Sequence, residues 1–283
     1  MTRVVVTLTT IPSGIPGAIE VVEAFLKEKE IDMIYLNWPY TLAKSGERYP
    51  DPVFVGVLVD PKVKVNRCSD LGPITKVFPV LDLEKDPSTK ILIVDDDHLP
   101  EPGIVSKFIK HSNLHPDAAL TTGGWVKGSG IFSYQTMSKD LERIREVDWV
   151  EGAGGIIVPR KFLDRATLLN YSKAGPLAGL FKKHDDHWLS WHLRTNGAVL
   201  LSIPEFFGDR PVRIPKKESI SGDLNFYKEV YTLSSYLAKM GIYQTPTTWS
   251  PIPVGTWGFL IVICIGFGLV GLWVQGKGLR SKA

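Results

Sequence analysis

Apolar positions follow two rhythms along this chain. Ile91-Leu92-Ile93-Val94 is an unbroken apolar run rich in β-branched side chains. It predicts a strand buried on both faces, as in the middle of a parallel sheet. Residues 3–8, 31–36, 118–122 and 198–203 predict further strands, and 53–59 and 63–65 are shorter candidates. Another strand is expected at Ile156-Ile157-Val158, directly after Glu151-Gly152-Ala153-Gly154-Gly155. The second rhythm is helical. Ile19, Val22, Phe25 and Leu26 recur at three- and four-residue steps within residues 16–29, with Pro16 at the start. Helices are also predicted from Asp70-Leu71-Gly72-Pro73 through Ile74, Val77, Phe78 and Leu81, then over 103–111, 184–194 and 223–240. Residues 123–130 read as a flexible loop. Strand, helix, strand makes a βαβ-like opening. The expected class is therefore α/β, with a mixed, mostly parallel sheet flanked by helices.

Asp95, Asp96 and Asp97 follow the run 91–94 directly. The strand delivers them to the carboxyl edge of the sheet, where open α/β folds bind ligands. Adjacent carboxylates repel one another and favour a cation among them. Oxygen ligands suit Mg²⁺ or Mn²⁺, ions that also hold substrate phosphates. The competing reading is a solvated turn capping the next helix. Three carboxylates directly after a buried strand favour the metal site. A second acidic pair, Asp185 and Asp186, stands in the expected first turn of helix 184–194, where the helix dipole favours negative charge. Alone it would be a helix cap. Paired with the first cluster 90 residues earlier, it makes a candidate catalytic base. Leu189 and Leu193 are expected to pack inward with Trp188 and Trp191.

Lys76 is either a surface charge or a phosphate ligand near a helix N-terminus. Gly152, Gly154 and Gly155 allow either close approach of backbone to a ligand or tight packing. They do not fit the dinucleotide-binding fingerprint. Arg210, Arg213, Lys216 and Lys217 make a basic loop, fit either to close over a diphosphate or to serve as plain surface charge.

The composition, 44% apolar and 22% charged over 283 residues, is that of a globular protein. A net charge of +3 gives no argument for nucleic acid. Cys68 and Cys264 are the only cysteines, which excludes a disulfide framework and fits a reducing compartment. The apolar run after Arg3 is too short for a signal peptide. Residues 254–274 carry no charge over 21 positions, with Trp257 and Trp273 near the ends. They predict a C-terminal transmembrane helix. The expected division is a catalytic domain over 1–225, an amphipathic helix and Pro-rich linker over 226–253, the membrane span over 254–274 and a short basic tail over 275–283. The expected location is a membrane, with the chain anchored by its C-terminus and the catalytic domain in the cytosol.

The ordered set carries a family likeness. It comprises a Thr-rich loop after the first strand, Gly72-Pro73-Ile74-Thr75-Lys76, the strand-DDD unit, a Gly-rich strand, and Asp185-Asp186-His187-Trp188-Leu189 opening a helix. Over roughly residues 3–210 it resembles the GT-A glycosyltransferases of the DXD type, especially those encoded by large algal viruses of the chlorovirus kind. The resemblance implies a Rossmann-like GT-A fold. It implies transfer of a sugar from a nucleoside-diphosphate sugar, here a UDP-sugar, to a hydroxyl of a glycan or glycoprotein acceptor. It implies Mn²⁺, or Mg²⁺, held by Asp97 and Asp95, with Asp95 also toward the ribose and Asp96 beside it on the donor. Thr9, Thr10, Ile11 and Pro12 would cradle the base and ribose, and Lys76 would lie by the diphosphate. Gly154 and Gly155 would border the acceptor pocket. Asp186, with Asp185 beside it, would be the base of an inverting enzyme. Asp185 stands where Glu is usual, Gly14 where Arg is frequent, and no histidine follows His192 as a late metal ligand. Two other readings stay open: a receiver-like phosphoacceptor domain, suggested by ILIVDDD, and a membrane-tethered nucleotide-binding protein without catalysis.

Overall fold

The computed structural model describes residues 2–127, 134–136, 144–204, 212–213 and 226–239. Strands β1 (Val4–Thr9), β2 (Met33–Pro39), β3 (Val63–Cys68) and β4 (Lys90–Ile93) lie parallel in the order β3-β2-β1-β4. The sheet continues through Ile156–Pro159, Ala118–Thr121, Val199–Ser202 and Arg145–Glu146. Strand Ile156–Pro159 is antiparallel to both neighbours, whereas Ala118–Thr121 and Val199–Ser202 are parallel to each other. The sheet is therefore mixed, with parallel pairings in the majority. The antiparallel strand has a consequence for function. It begins at the edge where β1 and β4 end, with Ile156 opposite Ile93. The glycine turn preceding it is thereby set beside the aspartates that follow β4.

The apolar runs are continuous because both faces of the sheet are covered. Val4, Val6 and Leu8 meet helix α1 (Ile15–Leu26) through Ala18, Val21, Val22 and Phe25, and helix Ile104–Leu114 through Val105 and Phe108. Val5, Ile91 and Ile93 point the other way, against Ile74, Val77, Leu81, Leu189 and Leu193. Each fully buried side chain of this size contributes about 1.5–3 kcal/mol. A third cluster joins Trp149, Phe181 and Trp188 to Leu233 and Leu237 of helix Phe226–Lys239. Leu189 and Leu193 thus pack against the sheet while Trp188 is buried in the third cluster, which corrects the expectation that they pack together. Trp188 and Trp191, three apart, share one helix face and stack at 4.2 Å.

Three local expectations change. The helix expected through Leu81 is a 3-10 turn, Pro73–Lys76, and a separate short helix, Val80–Leu83. Pro79 has no N–H to continue a helix and clashes with the preceding turn. Residues 53–59 form no strand. Gly56 takes φ +56 and starts a 3-10 turn, Gly56–Val59, leaving Val53, Phe54 and Val55 exposed. Within the loop expected over 123–130, Gly124–Lys127 is a strand paired with Trp149–Val150 and Tyr134–Thr136. The gain there is a cross-strand pair: Trp125 lies opposite Trp149, and their indoles stack at 5.7 Å and 7°.

The expected membrane span, residues 254–274, lies outside the described residues, as does most of the basic loop. Among the described residues no helix is long and apolar enough to cross a membrane. The longest, Phe226–Lys239, has 14 residues, against the roughly 20 a span needs. It packs on the body of the domain instead. The expectation of a C-terminally anchored membrane protein is corrected accordingly.

Candidate active site

The two acidic clusters meet at Lys76. Its Nζ lies 2.8 Å from Asp95 Oδ1, 3.0 Å from Asp185 Oδ2 and 3.7 Å from Asp186 Oδ1. The lysine is held there by its own turn. Asp70 Oδ1 accepts from the Gly72 N–H at 2.8 Å and from Thr75 Oγ1 at 3.3 Å, and Gly72 takes φ +82. The Lys76 carbonyl accepts from Thr7 Oγ1 at 2.5 Å and Asn37 Nδ2 at 3.4 Å. These two buried polar residues of β1 and β2 fix the lysine backbone against the sheet.

The sequence argued that clustered carboxylates need a cation, and a lysine supplies one. Burial disfavours the charged ammonium, but Asp185, Asp95 and Asp186 outweigh it and raise the Lys76 pKa well above its ordinary value. Burial also pushes Asp95 up, yet the Lys76 charge and hydrogen bond bring it below the usual carboxylate value. Asp186 goes the other way. Burial raises it most, the more distant Lys76 counters only in part, and the charges of Asp185 and Asp95 raise it further. Its Oδ2 accepts from the Gly152 N–H at 3.1 Å.

A second set of ligand atoms adjoins this one. One atom each from Asp95, Asp97 and His98 lies within 4.8 Å of the others. His98 Nδ1 is 2.7 Å from Asp97 Oδ1. The backbone of His98–Leu99 is pinned by antiparallel pairing with Val212–Arg213, the described piece of the basic loop. Two carboxylates and an imidazole suit a divalent ion such as Mn²⁺. Sequence reasoning missed His98, although its position directly after Asp97 was a usable signal.

The Thr-rich loop closes on the same rim. Thr9 Oγ1 donates to the Asn37 carbonyl at 3.0 Å, and Tyr49 Oη donates to the Thr10 carbonyl at 2.8 Å. Ile11 leads into a turn, Pro12–Gly14. A Cβ on Gly14 would lie 2.6 Å from Thr10 Oγ1 and 2.8 Å from Asp96 Oδ2, so glycine is what lets the loop approach Asp96. Among the later glycines it is Gly152 that touches the acids: a Cβ there would lie 2.9 Å from Lys76 Nζ and 3.2 Å from Asp186 Oδ1. Gly154 and Gly155 shape the turn. The Gly154 carbonyl accepts from Thr122 Oγ1 at 2.7 Å, and Gly155 takes φ +76.

No protein-family model matches this chain, and no curated protein does. Among solved structures, it aligns with the crystal structure of residues 1–349 of TarS from S. aureus at 11% identity and a TM-score of 0.43. That alignment covers 73% of this chain and 59% of the TarS chain. This chain therefore matches less than two thirds of that structure, and so loose a superposition carries no argument about its activity.

Proposed function

We propose that residues 1–225 form a GT-A-type glycosyltransferase domain that moves a sugar from a UDP-sugar to a hydroxyl of a glycan or glycoprotein, with inversion. One observation carries the reading: two acidic clusters from distant parts of the chain converge on Lys76, beside the Asp95, Asp97 and His98 ligand set. Asp97, His98 and Asp95 would hold Mn²⁺ or Mg²⁺. When bound, such an ion supplies positive charge against the diphosphate that departs. Thr9, Thr10, Ile11 and Pro12 would bind the nucleoside and keep Asp96 at the donor side of the rim. Asp186 would take the proton of the acceptor hydroxyl at a carboxylate oxygen, oriented by the Gly152 N–H. A raised pKa makes it the stronger base of the cluster. Lys76 would keep Asp95 charged and hold Asp185 in place rather than reach for phosphate. Gly154 and Gly155 would support the acceptor side.

The test is UDP release from a panel of UDP-sugars, with Mn²⁺ and with a chelator. The expected result is release from at least one donor, lost on chelation and in Asp97→Ala. Release from no donor, or release indifferent to both treatments, overturns the reading.

A further inference from the structure

One wall of the site holds two side chains that the proposed reaction leaves without a task. Glu151 directly precedes Gly152, whose N–H reaches Asp186. Its backbone is fixed on both sides: its N–H donates to the Gly123 carbonyl at 2.8 Å, and its carbonyl accepts from Thr121 Oγ1 at 3.1 Å. Among the described residues its carboxylate has one hydrogen-bond donor, the Trp125 indole Nε1 at 3.3 Å. Gly123 leaves room for it, since a Cβ there would lie 3.1 Å from Glu151 Oε2. Trp125 is half-buried, with its indole stacked on Trp149. Trp149 is in turn backed by His187 at 4.7 Å, so the platform is rigid.

A part-buried carboxylate with one long hydrogen bond is a poor structural element, because desolvation goes largely uncompensated. The cost is visible in its titration. Burial raises the Glu151 pKa, the Trp125 hydrogen bond offsets only part of that, and Asp95 adds to it. Such a group makes sense where a ligand completes its hydrogen bonding.

We infer that Trp125 and Glu151 form a sugar subsite, the indole lying against the apolar C–H face of a pyranose and the carboxylate accepting from its hydroxyls. A site built to bind a hydroxyl strongly rejects the analogue that lacks it, so Glu151 sets which sugar is used. The inference rests on the glycosyl-transfer reading, and the sugar is that of either the donor or the acceptor.

The test compares wild-type chain with Glu151→Gln, in Mn²⁺, for binding of UDP, of UDP-glucose and UDP-galactose, and of methyl glucoside and methyl galactoside with UDP present. UDP affinity should stay within about twofold. A loss of about tenfold or more for a UDP-sugar marks the donor sugar, and the same loss for a glycoside marks the acceptor. Unchanged sugar binding, an equal loss for UDP, or no sugar binding by the wild type overturns the inference. If Glu151→Gln does not fold, Trp125→Phe takes the same measurements under the same criteria. Failure of UDP itself to bind the wild type sinks the glycosyl-transfer reading instead. Glycoside binding without UDP then decides for the pair, by the same tenfold criterion.

Discussion

Asp95 and Asp186 share one ammonium group, yet their pKa values shift in opposite directions. Asp95 follows a buried strand, sits 2.8 Å from Lys76 Nζ and has its pKa lowered. Asp186 stands in the first turn of a helix, sits 3.7 Å from the same atom and has its pKa raised well above the ordinary value. Both are part-buried near other carboxylates, and the directions differ because Asp95 has the closer, hydrogen-bonded cation while Asp186 faces the charges of Asp185 and Asp95. Burial penalises each charge, and only the close, hydrogen-bonded partner fully offsets it. One rim thus carries two carboxylates shifted in opposite directions, as the proposed pairing of a charged metal ligand with a proton acceptor requires.

The most damaging way to break this pairing is to remove the shared cation. Lys76→Met should destabilise the fold by about 3–5 kcal/mol, because one buried and two part-buried carboxylates lose their partner. Adding Asp186→Asn should recover part of that loss, as measured by urea unfolding at neutral pH. A single-mutant midpoint equal to wild type would refute the shared-cation account. Next comes the charged side of the comparison. Asp97→Ala should lower metal-dependent turnover on the order of 10³-fold. Calorimetry should show weakened Mn²⁺ binding in this variant, whereas Asp186→Asn should leave Mn²⁺ binding unchanged.

Asp186→Asn tests the other side, with an expected loss on the order of 10²-fold in kcat and little change in UDP affinity. Equal losses in kcat and UDP affinity would argue that Asp186 binds donor rather than moves a proton. The smallest effect concerns the helix beneath Asp186. Burial lowers the pKa of His187 to about 3 and of His192 to about 4, from 6.5 when exposed. The unfolded chain therefore binds more protons than the folded one below pH 6.5. Stability is full above that pH and falls as pH drops toward the folded values, by about 2 kcal/mol for each histidine down to about pH 5. His192→Gln should flatten that slope in urea titrations run across the window.

Much of the frame was legible in the chain. The run at residues 91–94 announced a buried strand because apolar side chains on both faces need cover on both faces, and the order of elements announced α/β. The breaks were less legible. Pro79 marked the end of its helix locally, but strand Gly124–Lys127 exists because Trp125 finds Trp149, a partner 24 residues away. Asp95, Asp97, Asp185 and Asp186 stood out by composition and position. His98, Gly152 and Glu151 did not, because an isolated histidine, glycine or glutamate has an ordinary explanation until its neighbours are known.

The sequence by itself determined the main buried strands of the sheet and where the acidic groups leave them. Those follow from short-range patterning, which every residue carries with it. Only the tertiary structure decided that Lys76 stands among Asp95, Asp185 and Asp186, and that the pKa values of Asp95 and Asp186 shift in opposite directions. Both depend on distances between segments far apart in the chain. The balance between Coulomb attraction and desolvation changes over shifts of an ångström or so, which no linear pattern encodes.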